Sequence, residues 1–67
     1  MHWIDRILVD FNLTQRQLSK GSGVSESSLS TNRGARTPIR KSGANMVYKL
    51  SKFLELTMDE MYERYGN

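Results

Sequence analysis

The chain has 67 residues and no cysteine, which allows one domain and excludes disulfides and thiolate metal sites. A single histidine, His2, would leave any metal site resting on scattered carboxylates, so no metal is expected. The net charge of +3 is uneven: residues 12–41 hold six cations against Glu26, a surplus of +5, and the two ends together are −2.

A basic middle in an otherwise slightly acidic chain suits a polyanionic partner, and it equally suits ordinary surface charge until the helices are placed. The longest apolar run, Ile7-Leu8-Val9, falls far short of the roughly 20 residues needed to span a bilayer. The opening MHWIDRILVDF carries Asp5 and Asp10 and lacks the basic lead of a signal peptide. On these grounds a soluble, cytoplasmic chain is expected, with no membrane partner.

Ile4, Ile7, Leu8 and Phe11 repeat at i, i+3, i+4 and i+7, which predicts a first helix with Trp3 just before it. Asn12 tolerates the left-handed conformation and closes it. Thr14 with Gln17 three residues on is a capping box that opens a second helix. In that helix Leu18 faces inward, Ser19 is small enough for close approach, and Gly21-Ser22-Gly23 is expected to stop it. Val24 packs inward, and Ser25 caps a third helix over about 25–33 with Glu26 in its first turn.

After Gly34 the run ARTPIRKSG has the only proline and no apolar period, and reads as a loop. Ala44 or Asn45 through Leu54 reads as a fourth helix, with Val47, Leu50 and Leu54 inward and Phe53 beside them. Thr57 with Glu60 is a second capping box. It opens a last helix with Met58, Met61, Tyr62 and Tyr65, ended by Gly66. No alternating strand pattern competes, so the fold class is all-α, a single domain over 1–67.

The third helix has one strongly apolar residue, Leu29, and small polar side chains elsewhere: Glu26, Ser27, Ser28, Ser30 and Thr31. A helix that buries so little and shows short polar groups is shaped to enter a groove. Each serine is also consistent with plain solvated surface. Enzyme chemistry finds no support, because no nucleophile–base pair or metal cluster is present and Gly21-Ser22-Gly23 is too short to cradle a phosphate. No cofactor and no small-molecule ligand is expected.

The glycine-turned pair at about 14–33 resembles the helix-turn-helix of the Cro and phage-repressor class, the lambda-repressor-like or XRE-type proteins. Gln15 matches the glutamine that starts their second helix. Ser19 stands where alanine is usual, Gly23-Val24 matches the turn, and Leu29 matches the buried residue of the recognition helix. Gly34 and Pro38 match the following loop, and VYKLSKFLELTMDEMY, Val47 to Tyr62, resembles the closing two helices. Three positions depart from the pattern. Leu8 and Arg33 stand where the family often pairs an arginine with a glutamate. Asn32 replaces an apolar residue. The loop after Pro38 is longer by about four residues and includes Arg40 and Lys41.

The resemblance implies a compact five-helix lambda-repressor-like domain acting as a sequence-specific DNA-binding transcriptional regulator of phage or bacterial type. The third helix would lie in the major groove of double-stranded DNA, with Glu26, Ser27 and Thr31 facing base edges. Gln15, Ser28 and the free amides opening helix two would meet the DNA backbone, and Arg16, Lys20, Arg36, Arg40 and Lys41 are candidate cations for phosphates. A homodimer through the C-terminal helix would space two recognition helices one DNA turn apart, about 34 Å. The alternative is a protein-binding module on the same fold, antirepressor- or antitoxin-like, that engages a protein partner.

Overall fold

A computed structural model describes residues 1–66 as five α-helices and one 3-10 turn, with no strand among the described residues. The helices are α1 (Trp3–Asp10), α2 (Gln15–Ser22), α3 (Glu26–Gly34), α4 (Ala44–Leu54) and α5 (Met58–Tyr65), and the 3-10 turn is Ile39–Lys41. α2 packs on α3 and α4, α3 also meets α1, and α5 packs on α4 and the 3-10 turn. The core draws on every element: Ile4, Ile7, Leu18, Leu29, Ile39, Val47, Leu50 and Met61 are all but completely buried.

Local signals explain most of the element boundaries. Both capping boxes form, so Thr14 and Thr57 each accept from the third helical amide while Gln17 and Glu60 reach back to the cap amide. At Thr57 those hydrogen bonds hold the Glu60 carboxyl below its ordinary value. Ser25 caps α3 by accepting from the Ser28 amide. Asn12 takes a φ of 53°, a left-handed turn that its short amide tolerates, between α1 and α2.

Four details depart from the sequence expectations. Trp3 belongs to α1, because His2 caps that helix: its Nδ1 accepts from the Ile4 amide at 3.2 Å. The His2 proton therefore sits on Nε2, which donates to the Thr37 carbonyl at 2.8 Å, and the Trp3 indole donates to the same oxygen at 3.0 Å. The start of α1 is thus tied to the segment after α3. Second, α2 runs on through Gly21 and Ser22 and only Gly23, at φ 83°, stops it. Phe53 lies against Gly21, where any Cβ would collide with its ring. Phe53 itself sits at the core margin, 37% exposed.

Third, the ARTPIRKSG segment is not a featureless loop. Ile39 inserts into the core from a 3-10 turn, 1% exposed, and pins the segment. Fourth, Gly34 is the last residue of α3 with no positive φ. The left-handed position falls two residues later on Arg36, at φ 55°.

Besides Ser51, both Asn32 and Tyr65 carry polar groups into the core. Asn32 is buried at the end of α3. Its Nδ2 donates to Ser42 Oγ at 2.9 Å, and Ser42 in turn donates to the Pro38 carbonyl, which fixes the amide orientation and leaves Asn32 Oδ1 without a partner. Tyr65, buried between α5 and α1, donates to Asp10 at 2.8 Å and takes the Arg6 guanidinium over its ring at 5.1 Å. Arg6 also donates to the Arg64 carbonyl, so α5 is closed onto α1 by polar contacts as well as by packing.

An unpartnered buried acceptor costs about 1–3 kcal/mol, so Asn32→Leu, close in volume, is expected to stabilise the chain by about 1 kcal/mol in chemical denaturation. Burial, then the hydrogen bond and charge of Asp10, push the Tyr65 hydroxyl from 10 up to about 12. The folded chain then holds this proton more tightly than the unfolded chain, so the stability it contributes is intact below pH 10 and is lost as pH climbs toward 12. Between those limits the wild-type chain should lose on the order of 1–2 kcal/mol more than Tyr65→Phe, measured by denaturation at each pH.

Candidate nucleic-acid interface

α3 is held by one apolar residue and several polar ones. Leu29 is fully buried, and Glu26, Ser27, Ser28, Ser30 and Thr31 are all exposed. These five differ in what they already bond. Ser28 Oγ accepts from Ser25 Oγ at 2.9 Å, and Ser30 Oγ accepts from Gln15 Nε2 at 2.8 Å. No internal side-chain hydrogen bond engages Glu26, Ser27 or Thr31 among the described residues. The three positions expected to face base edges are therefore the three whose polar groups stay open to a partner.

A shallow groove runs beside α3, lined by Ser27, Thr31, Thr37, Lys41 and Ser42 with Asn32 at its floor. Lys41 gives this groove its cation. A second groove, between the start of α3 and α4, is lined by Ser25, Ser28, Asn45 and Lys49. Periodicity marks Lys49 as solvent-facing, opposite Val47 and Leu50, but gives no hint that its side lies next to Ser25 and Ser28. That adjacency depends on how α4 packs, which no local signal encodes.

The remaining cations divide. Arg16 and Lys20 are exposed one turn apart on α2 and share a face of that helix. Arg36 is exposed beside Gln15, Ser30 and Arg33, where it lines an open cleft. Arg40 is drawn the other way: its guanidinium lies over the Tyr62 ring of α5 at 5.5 Å, separating it from its neighbour Lys41. The acids Asp59, Glu60 and Glu63 ride on α5, which packs on α4 and the 3-10 turn. The helix expected to mediate a dimer keeps Met61 and Tyr65 buried and Met58 and Tyr62 half-buried, so little of its apolar surface is free.

Arg33 has a role that the sequence did not disclose. Its Nη2 pairs with Asp5 of α1, and its Nη1 donates to Gln15 Oε1 at the first turn of α2. Arg33 of α3 is thus paired with α1 through Asp5, not through position 8. Both side chains are about one-third exposed, so the pair alone is worth only about 0–1 kcal/mol. Its significance is geometric, since it joins α1, α2 and α3 at one point. Among the described residues no group of three or more His, Asp or Glu side chains is assembled that would hold a metal ion.

The cap of α3 is open to direct measurement. Ser25→Ala removes the oxygen that receives the Ser28 amide and should lower stability by about 1 kcal/mol, with amide exchange speeding up in the first turn of α3 before the core responds.

No protein-family model, curated protein or solved structure matches the chain.

Proposed function

We propose that the chain is a sequence-specific DNA-binding transcriptional regulator of phage or bacterial Cro or repressor type. In this reading α2 and α3 form a helix-turn-helix in a lambda-repressor-like domain, and the protein works in the bacterial cytoplasm at the nucleoid. α3 enters the major groove of double-stranded DNA, and α2 crosses the backbone. The observation that carries the reading is the outward face of α3. Glu26, Ser27 and Thr31 are exposed and internally unbonded, on a helix whose flanks carry Lys41 and Lys49.

The chemistry of that face is modest. Glu26 suits a cytosine amino group, Ser27 either kind of base edge, and the Thr31 methyl a thymine methyl. None is an Arg–guanine or Asn–adenine pair, each worth roughly 1–3 kcal/mol of discrimination. Backbone contacts and DNA shape then carry much of the selectivity. Gln15, Ser28, Arg16, Lys20, Arg36, Lys41 and Lys49 supply the backbone side, and Arg40 joins them by leaving Tyr62.

The same modest face favours one rival reading, a module that docks a protein partner through α3. The two separate in binding to random duplex DNA by fluorescence anisotropy. With three to five phosphates neutralised, affinity should fall roughly 50-fold to 500-fold between about 50 mM and about 200 mM salt. Lys41→Ala should reduce the log–log slope by about 0.9. Enrichment of one palindromic site from the random pool supports the regulator. No binding at the lower salt removes it and leaves the protein-docking module.

A further inference from the structure

α3 holds the Gln15 side chain at both ends of its amide. Arg33 Nη1 donates to Gln15 Oε1, so the amide nitrogen faces the other way, where one of its two hydrogens goes to Ser30 Oγ at 2.8 Å. The orientation is therefore set: an amide whose oxygen is taken by a guanidinium shows only N–H to a new partner. Beside it the Gln15 and Arg16 amides, in the first turn of α2, have no intrahelical acceptor. A guanidinium free to rotate could not fix the amide in this way, and Asp5 of α1 is what anchors Arg33 from behind.

We infer that Asp5 and Arg33 are positioning residues for DNA binding, acting through Gln15 by keeping its amide turned as a donor toward a backbone phosphate. The inference rests on the DNA-binding reading above. The guanidinium keeps Gln15 Oε1, an acceptor that a phosphate would repel, turned toward Arg33. Asp5 reaches α2 only through Arg33, so its influence on DNA is indirect. The pair thus makes the shape of α1 part of the binding face, although α1 itself offers no cation there.

This predicts an effect opposite in sign to simple electrostatics. Asp5→Asn removes a negative charge, which alone would tighten binding to a polyanion. If Asp5 positions Gln15, Asp5→Asn instead weakens binding, on the order of threefold to tenfold. The test is a double-mutant cycle on duplex DNA at low salt with wild type, Asp5→Asn, Gln15→Ala and the double variant, each confirmed folded by circular dichroism. The expected result is that Asp5→Asn costs affinity in the wild-type background and nothing further when Gln15 is already alanine. Arg33→Met, which also removes a cation, should cost more in the wild-type background than in Gln15→Ala, and Asp5→Glu should restore binding. Tighter binding by Asp5→Asn, or an equal loss in both backgrounds, overturns the inference while leaving DNA binding intact. Failure of the wild-type chain itself to bind DNA overturns the DNA reading and the inference together.

Discussion

Everything in this molecule depends on how α3 is attached. A helix that gives one leucine to the core gains only about 1.5–3 kcal/mol from burying it. Apolar packing alone would therefore leave α3 loosely held. The deficit is made up by polar ties along the helix: Ser25 at its cap, Gln15 to Ser30 near its middle, Arg33 to Asp5 and Gln15 near its end, and Asn32 to Ser42 behind it. Each tie is weak by itself. Together they fix the helix against α1, α2 and the 3-10 turn while spending no side chain of its outward face except Ser28 and Ser30.

The buried Asn32 shows what this arrangement costs. An apolar residue there would pack without leaving an acceptor stranded, and Oδ1 finds no partner. Its Nδ2, however, links α3 to the Ser42–Pro38 segment, and that segment carries Lys41. The basic stretch after α3 is thus held by Ile39 below, by Thr37 accepting from His2 and Trp3, and by Asn32 from the side. A loop that reads as unstructured becomes a fixed border of the groove beside α3. Within the positive surplus of residues 12–41, Lys41 borders the groove beside α3, while Arg40 turns to Tyr62 of α5, the helix that carries the acids and packs on the 3-10 turn.

The helices were legible wherever a local rule applied. The i, i+3, i+4 spacing of Ile4, Ile7 and Leu8, the two Thr-x-x-Gln/Glu boxes and the Ser25 cap are short-range signals, and each produced the element it indicated. What stayed hidden depends on residues distant in sequence. His2 as a cap, Ile39 as a core residue, Gly21 under Phe53, and Arg33 held by Asp5 all require knowing which elements meet. Charge counting likewise put Arg40 and Lys41 together, and only the placement of Tyr62 shows them parting. Residue type was informative about exposure on α3 but not about which exposed groups were already engaged.

The central claim is that the open face of α3, with the first turn of α2 and the basic segment after it, receives duplex DNA. The most direct measurement is an amide chemical-shift titration of the labelled chain with a short duplex at low salt. Perturbations are expected to concentrate at Gln15–Arg16, along Glu26–Thr31 and over Arg36–Lys41, with α5 quiet apart from Tyr62, which Arg40 leaves. Perturbations centred on α4 and α5, or none at all, would contradict it.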